Sequence, residues 1–338
     1  MKYLTFFLVI LTGLLIISCG EGPTYTEAYE YLTLINCNGS DKIHLSEDNP
    51  GKVFFYENNH KIIFAERDEI ISFDLSELQS EIIFPPETEE WSIWYFEIFQ
   101  DFDNILFCND SNGWDLYLYT IETENVENLT NTDEKREGNI KLSATEEHFV
   151  YIEKDYTIGD SIKWSIKYCN FDETINETVI SKFGSCGTTF RTVDWIDDNT
   201  LIYINDEYCL EPGIYSVNLN GSENQLIYDG RYFNFSICED HTKVVFEDND
   251  EIYLIDTSDY SVSHLISGSK PVISPDGNKL SFYDGISGLV VWDMIEDTIA
   301  LISETLRSSA LGFSSDSQKL VFKERIIVTY NRENKIVN

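Results

Sequence analysis

Basic residues are scarce in this chain of 338 residues: 23 Lys and Arg stand against 60 Asp and Glu, a net charge of −37. That excludes a nucleic-acid binder, which needs cations for the phosphates. It also excludes electrostatic docking on anionic lipid. Only five His and two Met occur. No C-x-x-C is present, so zinc-ribbon and redox motifs have no support. P-loop and dinucleotide fingerprints are missing as well. The nearest string to a nucleophile elbow, Gly285-Ile286-Ser287-Gly288, lacks the G-x-S-x-G spacing and reads as a hairpin turn. A carboxylate pair for glycoside cleavage cannot be singled out among so many acids. What the chain does have is 42% apolar and 14% aromatic residues. That is enough for a core, so the acid excess does not mean disorder. The length fits about two domains or one large all-β domain.

The only long apolar run is at the start. Lys2 precedes Tyr3 to Ile17, apolar apart from Thr5, Thr12 and Gly13. At ~1.5 Å per residue it reaches roughly 22 Å as a helix, short of a ~30 Å hydrocarbon core. A basic start and a short apolar run make a secretory signal. The run ends Ile16-Ile17-Ser18-Cys19-Gly20, which resembles the lipobox of bacterial lipoproteins. The resemblance implies a signal peptide over 1–18, cleavage before Cys19, and diacylglycerol on its sulfur. Two or three acyl chains hold a protein on a membrane. Residues 19–28 read as a lipidated tether. No Asp follows Cys19, so the usual inner-membrane retention signal is not evident, which favours the outer membrane where one exists.

In the body no long helical period occurs. Short alternating runs recur instead, such as KIIFA, LYLYTI, TLIYIN and EIYLID, separated by Asn, Asp, Gly and Ser. That is an all-β pattern. Aliphatic anchors recur at Ile62, Ile105, Phe149, Leu201, Val244, Leu280 and Leu320, 36 to 52 residues apart. Two residues on stand Phe64, Phe107, Tyr151, Tyr203, Phe246, Phe282 and Phe322, aromatic in every case. Four residues before stand Asn58, Asp101, Thr145, Asp197, Asp240, Asp276 and Asp316, where Asx suits a tight turn. A later position holds Asp74, Thr120, Asn170, Asn218, Asp256, Asp293 and Asn331. Each unit therefore predicts four strands, A to D, in about 43 residues. A four-stranded antiparallel blade cannot bury both faces alone, but blades stacked radially bury each other.

The unit ISPDGNKLSF at 273–282 resembles the core of WD40-like PD40 repeats, the propeller repeats of TolB-like proteins. LGFSSDSQKLVF (311–322) and FSICEDHTKVVF (235–246) resemble it more loosely, and 111–130 matches the second half of a repeat. The resemblance implies a β-propeller over 29–338, with seven blades as first choice and six or eight open. INCNGSDKIHL (35–45) is similar to VNLNGSENQLIY (217–228), the C–D hairpin of its repeat. The hairpin at 29–46 is therefore expected to help close the last blade, which removes open edges.

Beyond Cys19 lie six cysteines. In the blade frame Cys186 falls in a D–A connector and Cys209 in the next B–C turn, on one face, so these two are the candidate disulfide. Cys37, Cys108, Cys169 and Cys238 sit on or beside strands and read as buried thiols. His60, His148 and His241 fall at A–B turns of alternate blades, too far apart to share a metal. His44 and His264 occupy matching outer-strand positions. Asp110-Ser111-Asn112-Gly113-Trp114-Asp115 has some calcium-loop character but lacks the flanking helices and twelfth-position Glu of an EF-hand. No metal and no cofactor is expected apart from the acyl anchor on Cys19.

The few bases are not spread evenly. The D–A connectors, or the first residue beyond them, hold Lys52, Lys135 and Arg136, Arg191, Arg231, Lys270 and Arg307. The connector at 85–96 instead carries Trp91, Trp94 and Tyr95. In a propeller these segments surround one mouth of the central channel. Cations and aromatics inside an acidic shell suit a carboxylate, a peptide tail or a glycan anion. The candidate binding face is Trp91, Trp94, Arg136, Arg191, Arg231, Lys270 and Arg307, weighed against solvated loop charges. The reading is a lipid-anchored cell-envelope propeller, on the periplasmic or surface side, that binds a protein, peptide or glycan without catalysis. The alternatives are an envelope enzyme of lyase or glycosidase type using the channel, and a structural lipoprotein with no small ligand.

Overall fold

The computed structural model describes residues 14–18 and 23–337 except 47–51, 57, 67, 85–90, 92, 110–113, 133, 157–160, 173, 185–189, 206–211, 231–234, 306–307 and 331–335. Strand β1 (Leu14–Ser18) pairs antiparallel with β2 (Pro23–Asn36), which turns into β3 (Ile43–Ser46). Blade 1 is β4 (Val53–Tyr56), β5 (Lys61–Glu66), β6 (Glu69–Asp74) and β7 (Gln79–Phe84). Blade 2 is β8 (Ile93–Ile98), β9 (Asn104–Asn109), β10 (Asp115–Thr120) and β11 (Asn125–Asn128). Blade 3 is β12 (Lys135–Leu142), β13 (His148–Asp155), β14 (Ile162–Asn170) and β15 (Asn176–Gly184). Blade 4 is β16 (Phe190–Asp197), β17 (Thr200–Asn205), β18 (Gly213–Asn218) and β19 (Gln225–Asp229). Blade 5 is β20 (Phe235–Ile237), β21 (Lys243–Asp248), β22 (Glu251–Asp256) and β23 (Ser261–Ser267). Blade 6 is β24 (Ser269–Ile273), β25 (Lys279–Tyr283), β26 (Leu289–Asp293) and β27 (Thr298–Ser303). Blade 7 takes β28 (Ser309–Phe313) and β29 (Lys319–Tyr330), with β30 (Ile336–Val337) paired to the end of β29. Each sheet is antiparallel in chain order, so the fold is an all-β, seven-bladed propeller.

Blade 7 closes through both chain ends. β2 pairs with β29 from Tyr25↔Tyr330 to Asn36↔Lys319, and β3 pairs with β2, giving the order β28-β29-β2-β3. The whole hairpin thus supplies strands C and D. This corrects the placing of a last turn at Asn331, because β29 runs on to Tyr330 as one strand. The turn Asx of blade 7 is Asn36 instead. Its N–H donates to Ser40 O at 3.0 Å, as Asn218 does to Ser222 O at 3.0 Å. Gly39 (φ 85°) and Gly221 (φ 77°) take the same left-handed turn position. Residues 23–28, read from sequence as tether, are strand in β2.

The repeat positions are where the core forms. All seven anchors and all seven following aromatics are buried. The apolar clusters lie between neighbouring blades rather than within one: Phe84 of blade 1 packs on Trp91 and Phe107 of blade 2, and Leu32, Leu34 and Val321 of blade 7 pack with Ile62 and Phe64 of blade 1. That last cluster joins the ends of the ring. The A–B turn Asp residues act as expected, each Oδ1 accepting an N–H two residues on: Asp101 from Asp103, Asp197 from Asn199, Asp240 from Thr242, Asp276 from Asn278 and Asp316 from Gln318. In blade 6 Ser274 Oγ donates to Asp276 and accepts the N–H of Lys279. Cys238 Sγ takes that same place in blade 5, between Asp240 and Lys243 N–H. Cys37, Cys108, Cys169 and Cys238 are buried free thiols. Among the described residues no helix is long and apolar enough to cross a membrane.

Candidate functional site

Two features stand out: the central channel, whose cavity reaches the A–B turns at Ser143, Glu146, Glu239 and Ser315, and a pocket at the other end of the ring, where the D–A connectors and B–C turns lie, called here the connector face. The first is the central channel, a cavity of about 500 Å³ lined by the inner strand of every blade. One register position recurs around it. Phe54, Glu97, Lys141, Asp194, Ser236, Val272 and Gly312 are each paired with the residue just after a repeat anchor (Ile63, Leu106, Val150, Ile202, Val245, Ser281 and Val321). Blades 2, 3 and 4 place Glu97, Lys141 and Asp194 there in succession. Lys141 Nζ lies 3.1 Å from Asp194 Oδ2 and 3.6 Å from Glu97 Oε1, and Lys52 also pairs with Glu97. Burial disfavours the Lys141 charge, but the carboxylates of Asp194 and Glu97 outweigh it and raise its pKa. Burial in the channel wall pushes Lys52 down to about 8 despite the pull of Glu97. Blades 5 to 7 put only Ser236, Val272 and Gly312 at this position. At this register position the channel wall is therefore charged at blades 2 to 4 and uncharged at blades 5 to 7.

The second feature is a pocket of about 260 Å³ beside the channel at blades 2 to 4. Tyr95 (β8), Trp114, Trp164 (β14) and Phe190 (β16) line it with Arg136 (β12), Lys154 (β13) and Arg191 (β16). β-Bulges shape it, as they re-aim side chains beside sites. In β8 the extra residue is Trp94, in β16 it is Arg191, and β12 shifts register between Gly138 and Lys141. A Cβ at Gly138 would stand 3.0 Å from the Tyr95 ring, so glycine lets the ring sit against the β12 backbone without shifting.

Arg136 and Lys154 are direct cross-strand partners in β12 and β13. Arg136 lies over Trp114 at 5.5 Å and over Tyr156 at 5.4 Å, and Lys154 Nζ over Trp164 at 4.2 Å. Burial and the nearby Arg136 both lower the Lys154 pKa. Neither cation forms an ion pair among the described residues, whereas neighbouring Lys135 pairs with Glu153 at 2.9 Å. Among the described residues the one carboxylate lining the pocket is Glu137, 1% exposed. Burial pushes it up to about 8, so it is mostly neutral near pH 7 and does not offset the cations. Its Oε1 accepts from Thr132 Oγ1 at 2.7 Å, while Oε2 and the Trp164 Nε1 have no hydrogen-bond partner among the described residues. Unpartnered buried polar atoms are rare in native proteins.

Arg136 and Arg191, expected on the binding face, are brought together here. Lys270 lies across the channel in a separate recess of about 420 Å³ with Phe235, Pro271 and Leu311. Trp91, expected at the mouth, is instead a core residue between Phe84, Phe107 and Tyr117. Its ring fills the seam between blades 1 and 2, where burial stabilises it more than a place at the mouth would. Arg231, Arg307, Cys19, Cys186, Cys209 and the Trp94 side chain lie outside the described residues. Lys154, Trp114, Trp164 and Glu137 were missed. Lys154 lies in a B strand rather than in a connector, and only the register shows that it faces Arg136.

Other sequence candidates take structural roles. Asp115 Oδ1 accepts the Thr132 N–H at 3.0 Å and its Oδ2 accepts Asn128 Nδ2 at 2.8 Å, so its carboxylate ties the end of blade 2 together. His148 stacks on Tyr168, His44 bonds Thr33 Oγ1, and His264 bonds Glu251. No group of three or more His, Cys, Asp or Glu among the described residues is placed to hold a metal ion.

No family model matches this sequence, and no curated protein does either. Solved structures do match in fold. An oligogalacturonate lyase in complex with manganese superposes with a TM-score of 0.67 at 12% identity, over 87% of this chain and 96% of that one. The oligogalacturonate lyase from Vibrio parahaemolyticus gives 0.64 at 12% identity, over 90% and 98%. A putative TolB from Agrobacterium tumefaciens gives 0.54 at 11% identity, over 89% and 99%. The fold shared with them is the β-propeller. At this identity the likeness speaks for fold alone, since propellers carry many functions.

Proposed function

We propose that this protein is a lipid-anchored envelope propeller that recognises an anionic partner at its connector face without making or breaking bonds. The observation that carries the reading is the pair Arg136 and Lys154. In a chain with 60 acids, two facing cations stand without a carboxylate partner among the described residues. Like charges directly opposite on adjacent strands are destabilising, so a site that keeps them needs a compensating anion. The aromatic walls add contact area at low entropic cost. The TolB-like likeness supports an envelope setting, and the Cys19 lipobox supports the anchor.

The rival reading is a channel enzyme of lyase type, favoured by the fold likeness to the oligogalacturonate lyases. Capture from crosslinked envelopes decides between them. The recognition reading expects a specific partner with the native protein and loss of it with Arg136→Ala/Lys154→Ala. Turnover of an acidic oligosaccharide, unchanged in that double variant, would establish the enzyme instead.

A further inference from the structure

We propose that the connector face, with its pocket, points toward the membrane that carries the lipid anchor, so that its partner is presented at that membrane surface. The inference rests on lipidation of Cys19 and adds to it a direction.

The direction comes from how blade 7 is closed. In blade 6, β25 ends at Tyr283 opposite Ser269 and turns back into β26. In blade 7, β29 passes the equivalent point, Lys323 opposite Ser309, without turning. From Glu324 to Tyr330 it pairs with β2 from Tyr31 back to Tyr25, and the inner strand no longer accompanies it. β3 is described as far as Ser46, opposite Leu32. The result is a ribbon of seven residue pairs, about 24 Å long at ~3.4 Å per residue. B strands run from the A–B turns to the B–C turns, so the ribbon leaves the ring on the connector face. Pro23 begins β2 at its far end, and Cys19 is four residues earlier, within about 14 Å of extended chain.

A further observation agrees. By sequence the ribbon strands hold Tyr25, Tyr29, Tyr31 and Tyr330, a residue type enriched at the membrane–water interface. Tyr29 is 38% exposed and stacks on Tyr31.

The test uses the full lipidated protein in vesicles that carry an energy-accepting headgroup label. A single fluorophore is placed by azide chemistry at Ser287, in the exposed β25–β26 turn, or at Glu296, in the exposed turn at the other end of the same blade. The two sites stand about one strand apart, ~20 Å, so roughly twofold or greater quenching at Ser287 than at Glu296 is expected. Equal or reversed quenching in lipidated protein overturns the orientation alone. Uptake of labelled acyl chain is read first, with Cys19→Ser as control. If the native protein takes up none, the anchoring reading falls and the orientation with it.

Discussion

Arg136 on β12 and Lys154 on β13 face each other as register partners, and both rest on aromatic rings, with no carboxylate paired to either among the described residues. If the pair recognises an anion, as proposed, the arrangement gives up stability for binding. It also sets the first expectation. Lys154→Glu exchanges a repulsion for an attraction, worth about 0.2–1 kcal/mol on a sheet, and gives up a cation–π contact of about the same size. Urea unfolding should find the variant as stable as the native protein or slightly more so. Envelope capture should find its partner lost. A clear loss of stability would count against a binding role for the pair.

Glu137 makes the pH behaviour specific. Its folded pKa, about 8, lies above the ordinary value of 4.5. Between those values the native state holds more protons than the unfolded chain, so this group's contribution falls as pH rises from about 4.5 to 8. Glu137→Gln removes that dependence. Its stability relative to native should improve steadily from pH 5 to pH 8.5 in denaturant titrations. A pH-independent difference would show that the carboxyl is ionised throughout.

Glu97 holds two ammonium groups at the channel wall. Glu97→Gln leaves Lys52 unpaired and Lys141 with Asp194 alone. Removing one partner of a buried pair typically costs about 3–5 kcal/mol; here both lysines are about one-third exposed, so roughly 1–3 kcal/mol is expected. The loss should shrink above pH 8, where Lys52 gives up its proton more readily than it does in the unfolded chain. Thermal scans at pH 7 and pH 9.5 compare the two.

Gly288 opens β26 of blade 6 at φ 125°. A Cβ there would stand 2.1 Å from Ser303 O, a backbone atom with nowhere to go. Gly288→Ala should cost about 2 kcal/mol or more. Gly285→Ala, with nothing within 4 Å of its Cβ, should cost less despite its positive φ, about 1 kcal/mol. Equal losses at both sites would mean that φ, rather than the close approach, governs this hairpin.

The repeat anchors explain why so much of the ring could be read in advance. A position such as Leu280, followed by Phe282, is fixed by local alternation and by the need to bury one face between blades. The likeness of 35–45 to 217–228 likewise foretold the closing hairpin, since a C–D turn needs the same Asn and Gly wherever it sits. The pocket was only half legible. Arg136 and Arg191 could be counted in their connectors. Trp91 could not be told from a wall residue, because a core aromatic and a mouth aromatic look alike in a connector.

The sequence by itself determined the strand period, the seven-fold repeat, the turn Asx and the acidic surface, because each depends on near neighbours along the chain. Only the tertiary structure decided which charges meet. Glu97, Lys141 and Asp194 belong to three blades, 44 and 53 residues apart, and become neighbours because radial stacking brings the same register position of successive inner strands together. Arg136 and Lys154 oppose each other because strand pairing fixes them so, and the bulges in β8, β12 and β16 then set the pocket around them. Pairing register and blade order are properties of the closed ring, and no local pattern of residues encodes them.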